Sequence, residues 1–337
     1  RSNLMLDEVQ NIDGFELFVR RFQEQGFKIF ITGSNATLLS RELGTKLTGR
    51  HVRIDLRPFS FSEYLLLKGT EYDERSLYLT EKKVEIRKAF DDYLESGGMP
   101  EYLRYRDQEI LFRTYEDIVL KDIVVRYSLE NVKMVKDLYE HLISHLSNRF
   151  SYNSLRKTVG AGSTTTIQNY VGYLQEANFC TILRRYDHKL KKQIGSDKKF
   201  YLTDHGFVRP ISTRLTKDRG KKLENVVLNH LPSGGEIMFF DDGVECDFIT
   251  IERNSVTSAV QSTWKLDDGN REREINGILN AMNKFGLEEG EIVTHDMREE
   301  IVIEDKKIHV VPVWDWTLRG DRGLINSAEE ATPNEEF

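Results

Sequence analysis

Asp7 and Glu8 stand side by side directly after Leu4-Met5-Leu6. Three apolar residues ending in two carboxylates describe a buried parallel strand that delivers acid groups into a crevice, where open α/β sheets hold their ligands. Such a pair suits nucleotide hydrolysis. Asp7 would hold Mg²⁺ directly or through water, and Glu8 would orient the water that attacks a γ-phosphate. A second apolar run, Ile29-Phe30-Ile31, leads into Thr32-Gly33-Ser34-Asn35. The intervening segment places Phe15, Phe18, Val19 and Phe22 at helical spacing and ends at Gly26, so the order is strand, helix, strand. A parallel crossover of this kind sets the two strand ends together and brings Asn35 beside Asp7. A neutral amide there positions water or a phosphate oxygen; Ser34 or Asn35 would equally cap the next helix.

These residues carry a resemblance. Leu4-Met5-Leu6-Asp7-Glu8-Val9-Gln10-Asn11, Ile31-Thr32-Gly33-Ser34-Asn35 and Leu47-Thr48-Gly49-Arg50 with Pro58-Phe59-Ser60-Phe61 resemble prokaryotic AAA-type ATPases that carry a C-terminal winged helix and a restriction-endonuclease-like domain. The resemblance implies an ATP and Mg²⁺ site in which Asp7 and Glu8 form the Walker B pair, Asn35 is sensor 1 and Arg50 is an arginine finger toward a neighbouring subunit. For Arg50 a surface or interdomain salt bridge is the other reading. The glycine-rich loop with Lys and Ser or Thr belongs upstream of Walker B, where this sequence has only Arg1-Ser2-Asn3. The chain is therefore expected to be a fragment that does not bind nucleotide in the family's way.

The fold class expected is α/β multidomain. Residues 1–68 would form part of a P-loop NTPase parallel sheet. Within it Val52, Ile54 and Leu56 alternate as a half-exposed strand, and Ser60 with Glu63 makes a capping box. Residues 69–128 would be a helical lid or connector, with helices over 80–95, closed by Gly97-Gly98, and 108–127. Residues 129–210 have the order of a winged helix-turn-helix: a long helix carrying Val135, Leu138 and Leu142, a short one capped by Ser151, a Gly160-Ala161-Gly162 turn, a third opened by Ser163, then an extended pair. That pair carries Arg184, Arg185, Lys189, Lys191, Lys192, Lys198 and Lys199 against Asp187 and Asp197, a local +5 in a chain of net charge −7. Such a patch suits a DNA phosphate backbone, and lysines of this kind also keep an edge strand soluble.

Residues 211–326 resemble the restriction-endonuclease-like core, in which a helix acid, an acid on the second strand and a Glu-x-Lys on the third bind Mg²⁺. Glu224 and Asp247 match the first two positions. Gln261 stands where the next carboxylate belongs, and Thr263 where the lysine does. Lys265 lies two residues further along, roughly 6–7 Å in strand rise. The set reads as a degenerate metal site. Residues 327–337 read as a disordered acidic tail.

Composition excludes little. The 337 residues are 39% hydrophobic and 31% charged, ordinary for a soluble protein. No run approaches the ~20 apolar residues of a membrane span, and Cys180 and Cys246 have no metal-ligand spacing. A cytoplasmic protein is expected, with ATP turnover coupled to a conformational change on DNA or a protein partner, possible homo-oligomers and no membrane. An Mg²⁺-dependent nuclease and a non-catalytic DNA- or protein-binding scaffold are the alternatives.

Overall fold

The computed structural model describes residues 2–9, 12, 14–33, 52, 54–73, 76–212 and 218–319. Asn35, Arg50 and the 327–337 tail lie outside them. Strand β1 (Asn3–Leu6) pairs in parallel with β2 (Lys28–Ile31), Asn3 opposite Lys28 and Leu6 opposite Ile31. The crossover is helix Phe15–Glu24, which buries Phe15 and Val19 with Val9 against Leu6, Ile29 and Ile31. Period-2 alternation sends Met5 and Phe30 to the opposite face, where Met5 is 78% exposed. The strand expected over Val52, Ile54 and Leu56 does not form among the described residues. These side chains are exposed, Leu56 by 93%, so no packed face rewards an extended pairing there.

The Ser60–Glu63 capping box starts helix Phe61–Leu67, and helices Thr80–Ser96, Pro100–Tyr105 and Gln108–Asp117 follow. The helix expected to run on to 127 changes register at Ile118 into a π-helix, Ile118–Val125. Gly97-Gly98 does more than stop a helix. Gly97 has φ 73°, and a Cβ on Gly98 would lie 2.1 Å from the Phe59 carbonyl oxygen. Asp204 accepts from the Gly98 amide at 2.8 Å and from the Gly206 amide at 2.6 Å, so three distant segments cross at this point.

Helix Val132–Ser144, strand β3 (Arg149–Phe150), helices Tyr152–Val159 and Thr164–Glu176, then β4 (Cys180–Arg184) and β5 (Lys198–Leu202) form the next unit. Its antiparallel sheet has the order β3-β5-β4. Ser151 and Ser163 cap their helices as the spacing predicts, and Gly160 ends the first in the left-handed conformation. Between β4 and β5 the chain makes a short helix, Leu190–Gly195.

The last unit opens with helix Arg219–His230 and continues with β6 (Glu236–Asp241), β7 (Glu245–Glu252), β8 (Ser255–Ser262), helix Arg271–Phe285, β9 (Glu289–Thr294), β10 (Glu299–Ile303) and β11 (Lys306–Pro312). The six-stranded sheet runs β10-β11-β9-β8-β7-β6. Strands β6 to β8 and the β10–β11 pair are antiparallel, and β8–β9 and β9–β11 are parallel. Strand β10 is an edge strand with alternating half-buried and exposed residues, including Val302 at the surface. The two sheets touch where the Tyr186 amide donates to the Phe239 carbonyl at 2.8 Å. One buried apolar cluster extends from Phe61 to Leu318, crossing the boundaries expected at 128/129 and 210/211. No helix of the described residues is long and apolar enough to cross a membrane.

Candidate functional site

The parallel pairing of β1 with β2 sets Asp7 and Thr32 at neighbouring strand ends. The Thr32 amide donates to the Leu6 carbonyl at 2.9 Å, and the Thr32 hydroxyl donates to Asp7 Oδ1. Thr32 is a candidate site residue that the motif reading passes over, although it stands only three positions before Asn35 in the sequence. Its hydroxyl holds one oxygen of an exposed carboxylate, a hard donor of the kind Mg²⁺ takes. Glu8 sits at φ 50°, in the left-handed region, so the chain turns sharply there and separates the Glu8 side chain from the line of β1. Burial raises the Asp122 carboxyl above its ordinary range despite Arg126, and the nearby Glu8 charge adds to that rise. The sequence motif groups Asp7, Glu8 and Asn35; Asp7 and Glu8 adjoin Thr32, and Asn35 lies outside the described residues, as does Arg50.

The second cluster lies between the two larger sheets. Helix Arg219–His230 is capped by Asp218, whose side chain accepts from the Lys221 amide, and carries Glu224 on its buried face. Strands β7 and β8 present Asp247 and Gln261 from below, so Glu224, Asp247 and Gln261 do converge. The fourth member comes from outside the unit. Lys199 of β5, 1% exposed, places its Nζ 2.9 Å from Glu224 Oε1, 2.9 Å from Asp247 Oδ1 and 2.6 Å from Glu245 Oε1. Burial opposes charge on Lys199, yet the surrounding carboxylates outweigh it and hold the ammonium well above its ordinary range. Burial also drives Asp247 up, to about 7, against the pull of Lys199. The Tyr201 hydroxyl donates to Glu224 Oε1 at 2.7 Å, Lys221 Nζ to Glu224 Oε2 at 3.1 Å and the Ser262 amide to Asp247 Oδ2 at 3.0 Å. Gln261 accepts from the Asp247 amide at 3.0 Å and donates to Glu274 at 2.6 Å.

This set does not fit the divalent cation that the resemblance implies. An ammonium already sits among the carboxylates, the third position is an amide engaged at both ends, and Lys265 pairs with Asp267 at 2.9 Å at the surface. Among the described residues no group of three or more His, Cys, Asp or Glu is arranged to hold a metal. Glu224, Asp247 and Gln261, expected as a degenerate metal site, form an ion-pair and hydrogen-bond network in the structure.

The basic patch also needs correction. All of β5 is buried because it is the central strand of its sheet. Lys198 donates to the carbonyls of Ile194 at 3.0 Å and Ser196 at 2.7 Å, and Lys199 is committed as above. Arg185 donates to the Asp241 carbonyl. Arg184, Lys189, Lys191 and Lys192 remain exposed. The pattern of charge along the sequence does not distinguish a lysine on a covered strand from one on an open hairpin.

Comparison with known proteins adds the family context. Residues 1–65 match the family described as AAA domain, and residues 87–218 match a domain of unknown function, DUF8612. The uncharacterized protein MJ1544 of Methanocaldococcus jannaschii is 32% identical over 337 residues, covering 94% of this chain and 75% of its own length. An uncharacterized protein of Haemophilus influenzae is 26% identical over 325 residues, covering 94% of this chain and 77% of its own. The solved Walker-type ATPase paby2304 of Pyrococcus abyssi aligns at 14% identity and a TM-score of 0.32, over 62% of each chain.

Proposed function

This chain belongs to the family of its relative from M. jannaschii, and on that premise we propose that the 1–65 segment is the hydrolytic end of a nucleotide-driven protein. The observation that carries the reading is the joint end of β1 and β2, where the Thr32 hydroxyl donates to Asp7 and Glu8 follows Asp7 directly in the chain. The match of residues 1–65 to an AAA domain supports it. Asp7 would hold Mg²⁺, which when bound neutralises phosphate charge. Thr32 orients the Asp7 carboxylate. Glu8 would accept a hydrogen bond from a water and so turn that water's oxygen lone pair toward the γ-phosphate, while Asn35 and Arg50 are proposed to contact phosphate oxygens. The test is ATP turnover by the full-length protein beside its Glu8→Gln variant. Loss of turnover with nucleotide still bound supports the assignment; unchanged turnover removes it.

The unit from Val132 to Leu202 supports a second role, contact with DNA. Its order of helix, strand, two helices and two strands, with the sheet order β3-β5-β4, supports the winged-helix reading. Arg184, Lys189, Lys191 and Lys192 form its exposed basic edge. Nucleotide-dependent movement of this unit against DNA or a protein partner is the coupling we propose, in a monomer or a homo-oligomer of a cytoplasmic protein.

A further inference from the structure

We propose that Lys199 is the resident cation of the Glu224–Asp247 pocket, standing where a divalent cation would, and that it clamps the three-stranded sheet to the six-stranded one in place of metal-dependent chemistry. The inference is independent of the nucleotide reading. An ammonium has three donors, and Lys199 finds three carboxylate oxygens, on Glu224, Asp247 and Glu245, at 2.9, 2.9 and 2.6 Å. The remaining carboxylate oxygens are also committed. Glu224 Oε2 accepts from Lys221, Asp247 Oδ2 from the Ser262 amide and Glu245 Oε2 from Arg149. Every carboxylate oxygen of Glu224, Asp247 and Glu245 thus already accepts at least one hydrogen bond, and the centre of the group is filled by the Lys199 ammonium.

The clamp spans two units of structure. Lys199 and Arg149 lie directly opposite one another on β5 and β3, a placement of like charges that is unfavourable on an isolated sheet. Glu245 of β7 lies between them and accepts from both, and Arg149 also reaches Asp241 at 2.5 Å. Among the described residues, these two cations of the small sheet pair with Asp241, Glu245 and Asp247 of the large sheet and with Glu224 of the helix that precedes it. Separating the sheets would strand charge on both sides. A buried ion pair adds little to stability when whole, but removing one partner is costly because the other stays behind. The geometry therefore favours a fixed juncture over a ligand site, and it explains how Gln261 and Thr263 can stand where a nuclease would need Glu and Lys.

The test uses the whole chain as wild type, Lys199→Met and the triple variant Lys199→Met/Glu224→Gln/Asp247→Asn, unfolded thermally with and without millimolar Mn²⁺. The wild-type midpoint is expected not to respond to Mn²⁺ through this pocket. Lys199→Met is expected to melt roughly 10 °C lower and to recover in part with Mn²⁺, which takes the carboxylates the lysine has left. The triple variant, with the charge removed from both sides, is expected to regain much of the loss and to ignore Mn²⁺. A Lys199→Met chain that melts with the wild type would overturn the proposal. So would a wild-type response to Mn²⁺ that the triple variant abolishes. If Lys199→Met fails to fold, the proposal still requires the triple variant to fold, and failure of both overturns it.

Discussion

Gly277 packs so closely on Glu245 that a Cβ added there would lie 2.2 Å from the Glu245 carbonyl oxygen. Helix Arg271–Phe285 can approach the start of β7 only because this position has no side chain. The close approach is to the backbone of the residue whose carboxylate Lys199 and Arg149 share. Gly277→Val should force the helix outward, destabilising the chain by about 1–3 kcal/mol. Denaturant unfolding measures the loss, and an unchanged midpoint would show that the helix can shift freely.

At the proposed nucleotide site, Thr32→Val removes the hydroxyl that donates to Asp7 while keeping the shape of the side chain. Turnover by the full-length protein should fall by roughly tenfold, about 1.4 kcal/mol, with the midpoint of unfolding little changed because the strand end is exposed. Thr32→Ser, which restores the hydroxyl, should recover most of the rate. Equal rates for Thr32→Val and wild type would remove Thr32 from the site.

The exposed and buried lysines separate in a salt titration. Replacing Arg184, Lys189, Lys191 and Lys192 by Ala should weaken binding to duplex DNA and reduce the dependence of log K on log salt by about one for each phosphate no longer neutralised. Lys198→Met should leave that slope unchanged, since its ammonium is spent on the Ile194 and Ser196 carbonyls. Fluorescence anisotropy over a salt series reads both. A slope that responds to Lys198 alone would reverse the assignment.

His205 gives the fold a pH dependence with a definite sign. Burial lowers its imidazole from the ordinary 6.5 to about 4, against a hydrogen bond to the Tyr93 carbonyl and with help from Lys222 and His230. The folded state therefore resists protonation. Its contribution is fully present above pH 6.5 and is lost as pH falls toward 4, on the order of 3 kcal/mol in all. Neighbouring Asp204 acts oppositely, since burial raises it to about 6 and its protonation favours the folded state as pH falls toward 3.8. The measurement is accordingly the difference in unfolding free energy between wild type and His205→Gln across pH 4 to 7. A difference that stays flat across that range would show His205 to be accessible to protons in the fold.

Local order was largely legible in the sequence. The caps at Ser60, Ser151 and Ser163 and the Gly160 stop depend on residues within a few positions of one another, and they form where spacing predicts. Departures occur where distant partners decide. The alternation of Val52, Ile54 and Leu56 is the pattern of a strand, but a strand needs a neighbour. The π-helix from Ile118 interrupts a segment whose apolar spacing reads as continuous helix.

What the sequence by itself determined is the inventory: an acid pair at the end of an apolar strand, a match of residues 1–65 to an AAA domain, and a set of short elements in order. The tertiary structure decided which charges meet. Lys199 belongs by sequence to a basic run, yet its partners Glu224 and Asp247 lie 25 and 48 residues away. A short-range pattern carries no information about which strand becomes central or which sheet closes over it. Burial and pairing, which set whether a lysine faces a phosphate or replaces a metal, arise only when the two sheets pack.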